Sequence, residues 1–332
     1  MLTRVSSMEP IRSTWTAWGF IGACALPATT LDLGPDIRIE RPSPERLREL
    51  SPAALRPQLP APRWPEYFSA LPAEIIVRST RVLWLKTTAV DSSEAWVAVE
   101  EMVPAVIAAL AGFGDPSPRV ELVRVGRSDP SGHIPTVVTP WVGGTLGGFA
   151  TRDLLPDEQE KVIRRCEVAR TRAARAAHLF HAAVRQRDMA DLSQRSIANC
   201  ILNYFLVVEH IAQELSRQGN PTGAPEGAEK LVVELYKALS ADTPLTTKLK
   251  KVRTTNDALQ RLDNKFLNQR IESTGGNLSV DPSIVQDALT VAKLRNTELA
   301  HPGKKDLKES GVGVEMAERA ANAFLSAYLD RP

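Results

Sequence analysis

Hydrophobic and polar positions follow two different periods along this chain, and the change falls near residue 150. Before it, short apolar runs are separated by proline-rich breaks. Ile37 and Ile39 alternate with charged neighbours over 36–40. Residues 75–85, 120–125 and 134–142 are rich in β-branched and aromatic types and predict further strands. Asp91, with Glu94 three residues on, predicts a capping box. It opens a helix through Trp96, Met102, Val103, Val106 and Leu110, bent at Pro104. Prolines at 42, 44, 52, 57, 60, 62 and 65 predict a surface excursion with at most one short helix.

From residue 157 the apolar positions recur at intervals of three and four, the helical period. One helix is expected over 157–187, with Val162, Cys166, Ala169, Ala173, Ala177 and Phe180 on one side. A second, over 191–217, carries Ile197, Ile201, Tyr204, Val208, Ile211 and Leu215, the pattern of a core helix. After a break at 219–227 come a short helix through Leu231, Val232, Leu235 and Leu239 and a long one opened by Pro244. The long one runs along Leu249, Val252, Leu259, Leu262, Phe266 and Ile271. Asp281-Pro282-Ser283 supplies cap chemistry for a helix that Pro302-Gly303 ends, and a last helix is expected over 314–329. The expected architecture is a mixed α+β N-terminal domain over 1–150, of unknown role, followed by an all-α antiparallel helical bundle over 151–332. The cluster Gly143-Gly-Thr-Leu-Gly-Gly148 reads as the hinge between them. It lacks the Lys-Ser/Thr with which a phosphate loop engages its ligand.

Composition sharpens the division. All six Trp and 18 of the 24 Pro lie at or before residue 156. With 43% hydrophobic and 24% charged residues the chain is neither fibrous nor disordered in type, and the formal net charge of +2 does not mark a general nucleic-acid binder. Residues 1–150 carry 14 basic and 15 acidic side chains, residues 151–332 carry 27 and 24, so any basic surface must be local. Cys24, Cys166 and Cys200 are scattered and lack metal-knuckle spacing, which suits buried thiols in a reducing cytosol. Arg4 and Arg12 before the apolar stretch 15–25 have the order of parts of a signal peptide. Thr16 and Gly19 interrupt that stretch and Glu9 precedes it; a buried strand fits the same residues. No stretch reaches transmembrane length. A cytoplasmic protein without cofactor or membrane partner is expected.

The candidate chemistry lies near the end of the helical region. Ile284, Ala288, Val291, Ala292 and Leu299 share a face, and Arg295 falls on it where an aliphatic residue would cost less. A guanidinium there must be paired or border a cleft. His301 precedes a proline, which disfavours the α region, so its imidazole projects just past the helix end. A purely local reading pairs Arg295 with Glu298 and leaves His301 as a C-terminal cap.

Arg295-Asn296 followed by His301, in an all-helical setting, resembles the HEPN superfamily of ribonucleases and RNA-binding toxins. That family carries Arg, four to six residues, then His, often with a polar residue after the Arg; here five intervene and Asn296 is the polar neighbour. The helix over 195–211, with Tyr204-Phe205 and Glu209, resembles the Apea-like branch, in which a mixed domain precedes the helical one. Here His301 is followed by Pro302-Gly303, whereas the family often has His-Gly. The resemblance covers the C-terminal half. It implies a metal-independent endoribonuclease acting through Arg295, Asn296 and His301, with Glu209 in support. Two motifs would face each other across a homodimer formed by the helical domain. RNA is the implied substrate, and an antitoxin or defence-system protein a further partner. The alternative of another class is a catalytically inactive HEPN-like module that binds RNA or a partner protein.

Other constellations are weaker. His178 and His181 stand at i and i+3, a spacing that suits one metal, but no third ligand accompanies them. No serine sits in a Gly-x-Ser-x-Gly elbow. Lys161, Arg164, Arg165, Arg170, Arg172, Arg175, Arg185 and Arg187 mark the first expected helix as basic. Lys248, Lys250, Lys251, Arg253, Arg261, Lys265 and Arg270 do the same for the long one. Such runs are solvated faces unless they border an RNA cleft.

Overall fold

The computed structural model describes residues 11–43, 81–114, 118–127, 137–138, 152–189, 194–219, 228–241, 243–295 and 310–332. The chain divides into two compact units, one of residues up to Ser196 together with Pro332, the other Ile197–Arg331. The glycine cluster at 143–148 lies outside the described residues. The division by packing thus falls later than the change in composition.

The first unit is built on a six-stranded sheet in the order β3-β4-β5-β1-β6-β7, with every pairing antiparallel. Its strands are β1 (Ser13–Gly22), β3 (Thr30–Asp32), β4 (Ile37–Glu40), β5 (Arg81–Ala89), β6 (Arg119–Arg127) and β7 (Val137–Val138). The stretch from Trp15 is the central strand, paired on one side with β5 (Trp18 opposite Trp84) and on the other with β6. Strand alternation places Ala17, Ile37, Ile39, Leu83, Leu85 and Val125 on one buried face. The expected bent helix is two helices, α1 (Ser92–Glu100) and α2 (Val103–Leu110). Asp91 caps α1, its carboxylate accepting from the Ser93 and Glu94 amides at 2.9 Å. The break at Glu101–Met102 precedes Pro104, which has no amide to donate and crowds the turn before it. α1 packs on β1, β5 and β6.

The helix expected over 157–187 is also two, α3 (Pro156–Arg170) and α4 (Ala174–Met189). At Thr171 the backbone leaves the helix, and the hydroxyl donates to the Glu167 carbonyl at 2.9 Å. A threonine that bonds its own backbone offers the chain an exit from the helical ladder. All eight residues of α2 are buried, and both α3 and α4 pack against it, which is why they belong with the sheet unit. Arg165, counted above among the basic set, is buried, donates to the Ala111 carbonyl at 2.8 Å and stacks 4.8 Å from the Phe113 ring. It is a structural residue.

A parallel pair, β2 (Ala25–Leu26) and β8 (Arg152–Asp153), leads into α3. Arg152 grips Glu158 with both terminal nitrogens, at 2.5 and 2.8 Å, and Glu158 accepts from the Leu155 amide at 2.9 Å to cap the helix. The wholly buried Arg81 donates to the Pro27 carbonyl and pairs with Asp153 at 3.1 Å.

The second unit is helical: most of α5 (Gln194–Gly219), then α6 (Ala228–Ser240), α7 (Leu245–Asn277), α8 (Pro282–Leu294) and α9 (Ser310–Leu329). α5 is the core helix its spacing predicts, with Ile201, Tyr204, Phe205, Val208 and Ile211 buried. The chain thus has an N-terminal antiparallel sheet region and a mostly helical C-terminal half. α6 packs on α7, α7 on α8, and α8 on α9. Leu249 and Val252, placed on the apolar stripe of the long helix, are exposed instead. Among the described residues no helix is long and apolar enough to cross a membrane.

Candidate functional site

Arg295 is placed by a chain of local devices that begins a helix earlier. α7 ends with Ser279 in the left-handed region (φ 54°). The Val280 amide reaches back to Gly275 O at 2.9 Å, and the Ser279 amide to Gly276 O at 3.1 Å. These are the two bonds of a Schellman cap, here with serine in the position that glycine usually takes. Asp281 then caps α8 as its sequence predicts, accepting from the Ser283 amide at 2.8 Å and its hydroxyl at 2.6 Å. Those bonds hold the Asp281 carboxyl below its usual range. Gly275 lets α8 approach closely, since a Cβ there would lie 2.4 Å from Val285.

α8 is also fixed from its other side. Asp287 accepts from Arg319 Nε on α9 at 2.8 Å. Gly313 of α9 admits Ile201 of α5, whose Cδ1 would lie 2.9 Å from a Cβ at that position. The α-helical hydrogen bonds of α8 run to Leu294 and Arg295 is its C-cap, still in the right-handed helical region. A cation there complements the partial negative charge of the helix C-terminus.

The Arg295 side chain turns onto α5. Its Nη1 lies 3.4 Å from Glu209 Oε1, and its guanidinium carbon lies 5.5 Å from the centre of the Phe205 ring. Phe205, Glu209 and Gln213 recur every four residues on one face of α5, and Gln213 donates to the same Glu209 oxygen at 3.3 Å. The carboxylate is 15% exposed and the guanidinium 34%, so the pair sits at the edge of the packed region. Among the described residues only Nη1 has a hydrogen-bonding partner. A guanidinium can present its nitrogens to a phosphate as a planar fork.

Asn296 and His301 lie outside the described residues, and so does Glu298 of the local reading. Of the four candidate residues, the structure therefore brings together Arg295 and Glu209. One polar cluster went unread in the sequence. His210 stands 3.4 Å from Glu214, which also accepts from the Tyr328 hydroxyl of α9 at 2.7 Å. The i, i+4 spacing of His210 and Glu214 was the available signal.

The remaining candidates fall elsewhere. His178 and His181 share α4 in the sheet unit, where burial, Arg185 and His178 push the His181 imidazole down to about 4, so it is neutral at pH 7. Among the described residues no three His, Cys, Asp or Glu side chains are grouped to hold a metal ion. The Cys166 thiol is buried and raised to about 12, hence inert. Arg270 stacks 3.9 Å from the Phe266 ring, a packing role within α7.

No protein-family model matches the chain, and no curated protein or solved structure matches it either.

Proposed function

We propose that the chain is a metal-independent endoribonuclease of the HEPN type, acting on RNA through Arg295, Asn296 and His301, with two copies of the motif facing each other in a homodimer. The single observation that carries this reading is the Glu209–Arg295 pair. It joins the two helices on which the family resemblance rests, and among the described residues it engages one nitrogen of the guanidinium.

The chemistry follows from those side chains. The 2′-hydroxyl of one nucleotide attacks its own phosphorus, and the 5′-oxygen of the next nucleotide leaves. A 2′,3′-cyclic phosphate and a 5′-hydroxyl result. An imidazole suits proton transfer because its unperturbed pKa is near 6.5; one accepts the 2′ proton, and its counterpart in the second copy protonates the leaving oxygen. The guanidinium stabilises the charge that builds on the non-bridging oxygens. Asn296 orients the phosphate or the imidazole, and Glu209 positions Arg295. A toxin or defence role, restrained by a partner protein, fits such an activity.

A second reading has its own observation. The Glu209 carboxylate offsets the charge of Arg295, which suits a module that holds RNA or a protein without cutting it. Incubation of the purified protein with mixed RNA in excess chelator, beside a His301→Ala control, separates the two. Cleavage that the substitution abolishes supports the nuclease; binding without cleavage supports the module.

A further inference from the structure

The α6–α7 hairpin carries a continuous apolar face that is exposed among the described residues. A short link, residues 241–244, joins two helices that pack on each other, so they run antiparallel. Leu231 and Leu235 of α6 and Thr255 of α7 mark the sides turned toward the partner helix, since they are half-buried or buried where their neighbours are exposed. About 100° further round each helix lies a second stripe. On α6 it is Val232, Tyr236 and Leu239, exposed to 41%, 71% and 38%; on α7 it is Leu245, Leu249 and Val252, exposed to 71%, 60% and 38%. Both stripes are displaced from the mutual interface in the same rotational sense. In an antiparallel pair the same sense on each helix brings both stripes to the same side of the hairpin.

We infer that this face pairs with the same face of a second copy, the two hairpins closing a four-helix bundle about a two-fold axis. The inference gives a surface to the homodimer of the proposed function and rests on that reading for the stoichiometry. The surface itself is argued from exposure. The six side chains expose roughly 600 Å² per chain, at the top of the range for the largest apolar patch on a monomer. Two copies would bury about 1,200 Å², which reaches the size of a stable, specific interface. A two-helix layer that is apolar on one side is half of a four-helix bundle, and a like layer completes it. Lys248 falls at the seam between the stripes and is half-buried. Antiparallel hairpins keep the two Lys248 ammonium groups apart, and the aliphatic stems cover apolar surface while the charges stay in water.

Sedimentation equilibrium of the full chain tests this. Wild type is expected to be a dimer at about 10 µM. Tyr236→Glu and Leu249→Glu, made separately, should each weaken dimerisation at least a hundredfold and leave the far-UV circular dichroism and unfolding midpoint unchanged. Val97→Glu, at an apolar residue of α1 that is 54% exposed, should leave the dimer intact. A wild type that is monomeric at about 100 µM overturns the inference, as does a dimer that both hairpin variants retain. A monomer that binds phosphatidylserine vesicles and loses them on Leu249→Glu also overturns it, assigning the face to an anionic lipid surface. RNA cleavage read on the same samples keeps the two proposals apart. A monomeric Leu249→Glu that still cleaves supports the interface and sinks the two-copy catalytic site. A dimer that never cleaves, but dissociates on Leu249→Glu, supports the interface and sinks the nuclease.

Discussion

Glu209 and Arg295 stand 86 positions apart in the chain and meet at 3.4 Å, one on α5 and the other at the C-cap of α8. The pair is partly open to water, so its energy is that of an edge contact rather than of a buried salt bridge. Its role is positional. It holds a long, flexible side chain in one place, with the Phe205 ring beneath.

A double-mutant cycle with Glu209→Ala and Arg295→Ala, read by urea unfolding, should give a coupling energy of about 0.5–1 kcal/mol, reduced by salt. Additive single effects would mean that the contact does not form in solution.

Two adjacent glycines near the end of α7 should respond with opposite signs. At Gly275 a methyl group would run into Val285, so Gly275→Ala should cost about 1–3 kcal/mol in spite of the better helix propensity of alanine. At Gly276 no described residue lies within 4 Å of the added carbon, so Gly276→Ala should stabilise by roughly 0.5–1 kcal/mol. Val285→Ala in the Gly275→Ala background should recover part of the loss. Thermal unfolding of the four proteins decides this; equal effects at 275 and 276 would contradict the close crossing of α7 and α8.

His181 should make folding sensitive to acid. Burial lowers its folded pKa to about 4, whereas an unfolded imidazole titrates near 6.5. Between those values the unfolded chain binds a proton that the folded chain refuses. The stability is therefore fully present above pH 6.5 and is lost as the pH falls toward 4, by roughly 2 kcal/mol at pH 4.5. His181→Gln should remove that part of the acid loss. A wild type and variant with parallel stability profiles from pH 7 to 4.5 would show that the imidazole is not buried.

Local features were the legible part of this fold. The Asp281 cap, the Asp91 cap, the central strand from Trp15 and the buried stripe of α5 each depend on residues within a few positions of one another. Features decided by packing were not legible. The period of apolar residues in α6 and α7 says that Val232 and Leu249 lie on stripes, but not whether anything covers them. The change of composition near residue 150 does not reveal that α3 and α4 pack on the buried α2 and so join the sheet unit. The break at Thr171 turns on one hydroxyl, and the break before Pro104 came two residues earlier than a kink would. At the candidate site, helical spacing shows that Arg295 needs a partner. That Glu209 meets Arg295 is a long-range relationship, which entered the sequence reading only through the family resemblance.

The measurement that bears most directly on the proposed function is RNA cleavage by the purified full chain in chelator, compared across wild type, His301→Ala, Arg295→Ala and Arg295→Lys. His301→Ala should slow cleavage by roughly a hundredfold or more and change stability by less than about 1 kcal/mol. Arg295→Ala should lose cleavage and weaken RNA binding, and Arg295→Lys should recover only part, because lysine keeps the charge and loses the planar fork. Cleavage by folded His301→Ala at the wild-type rate would contradict the assignment of the reaction to this motif.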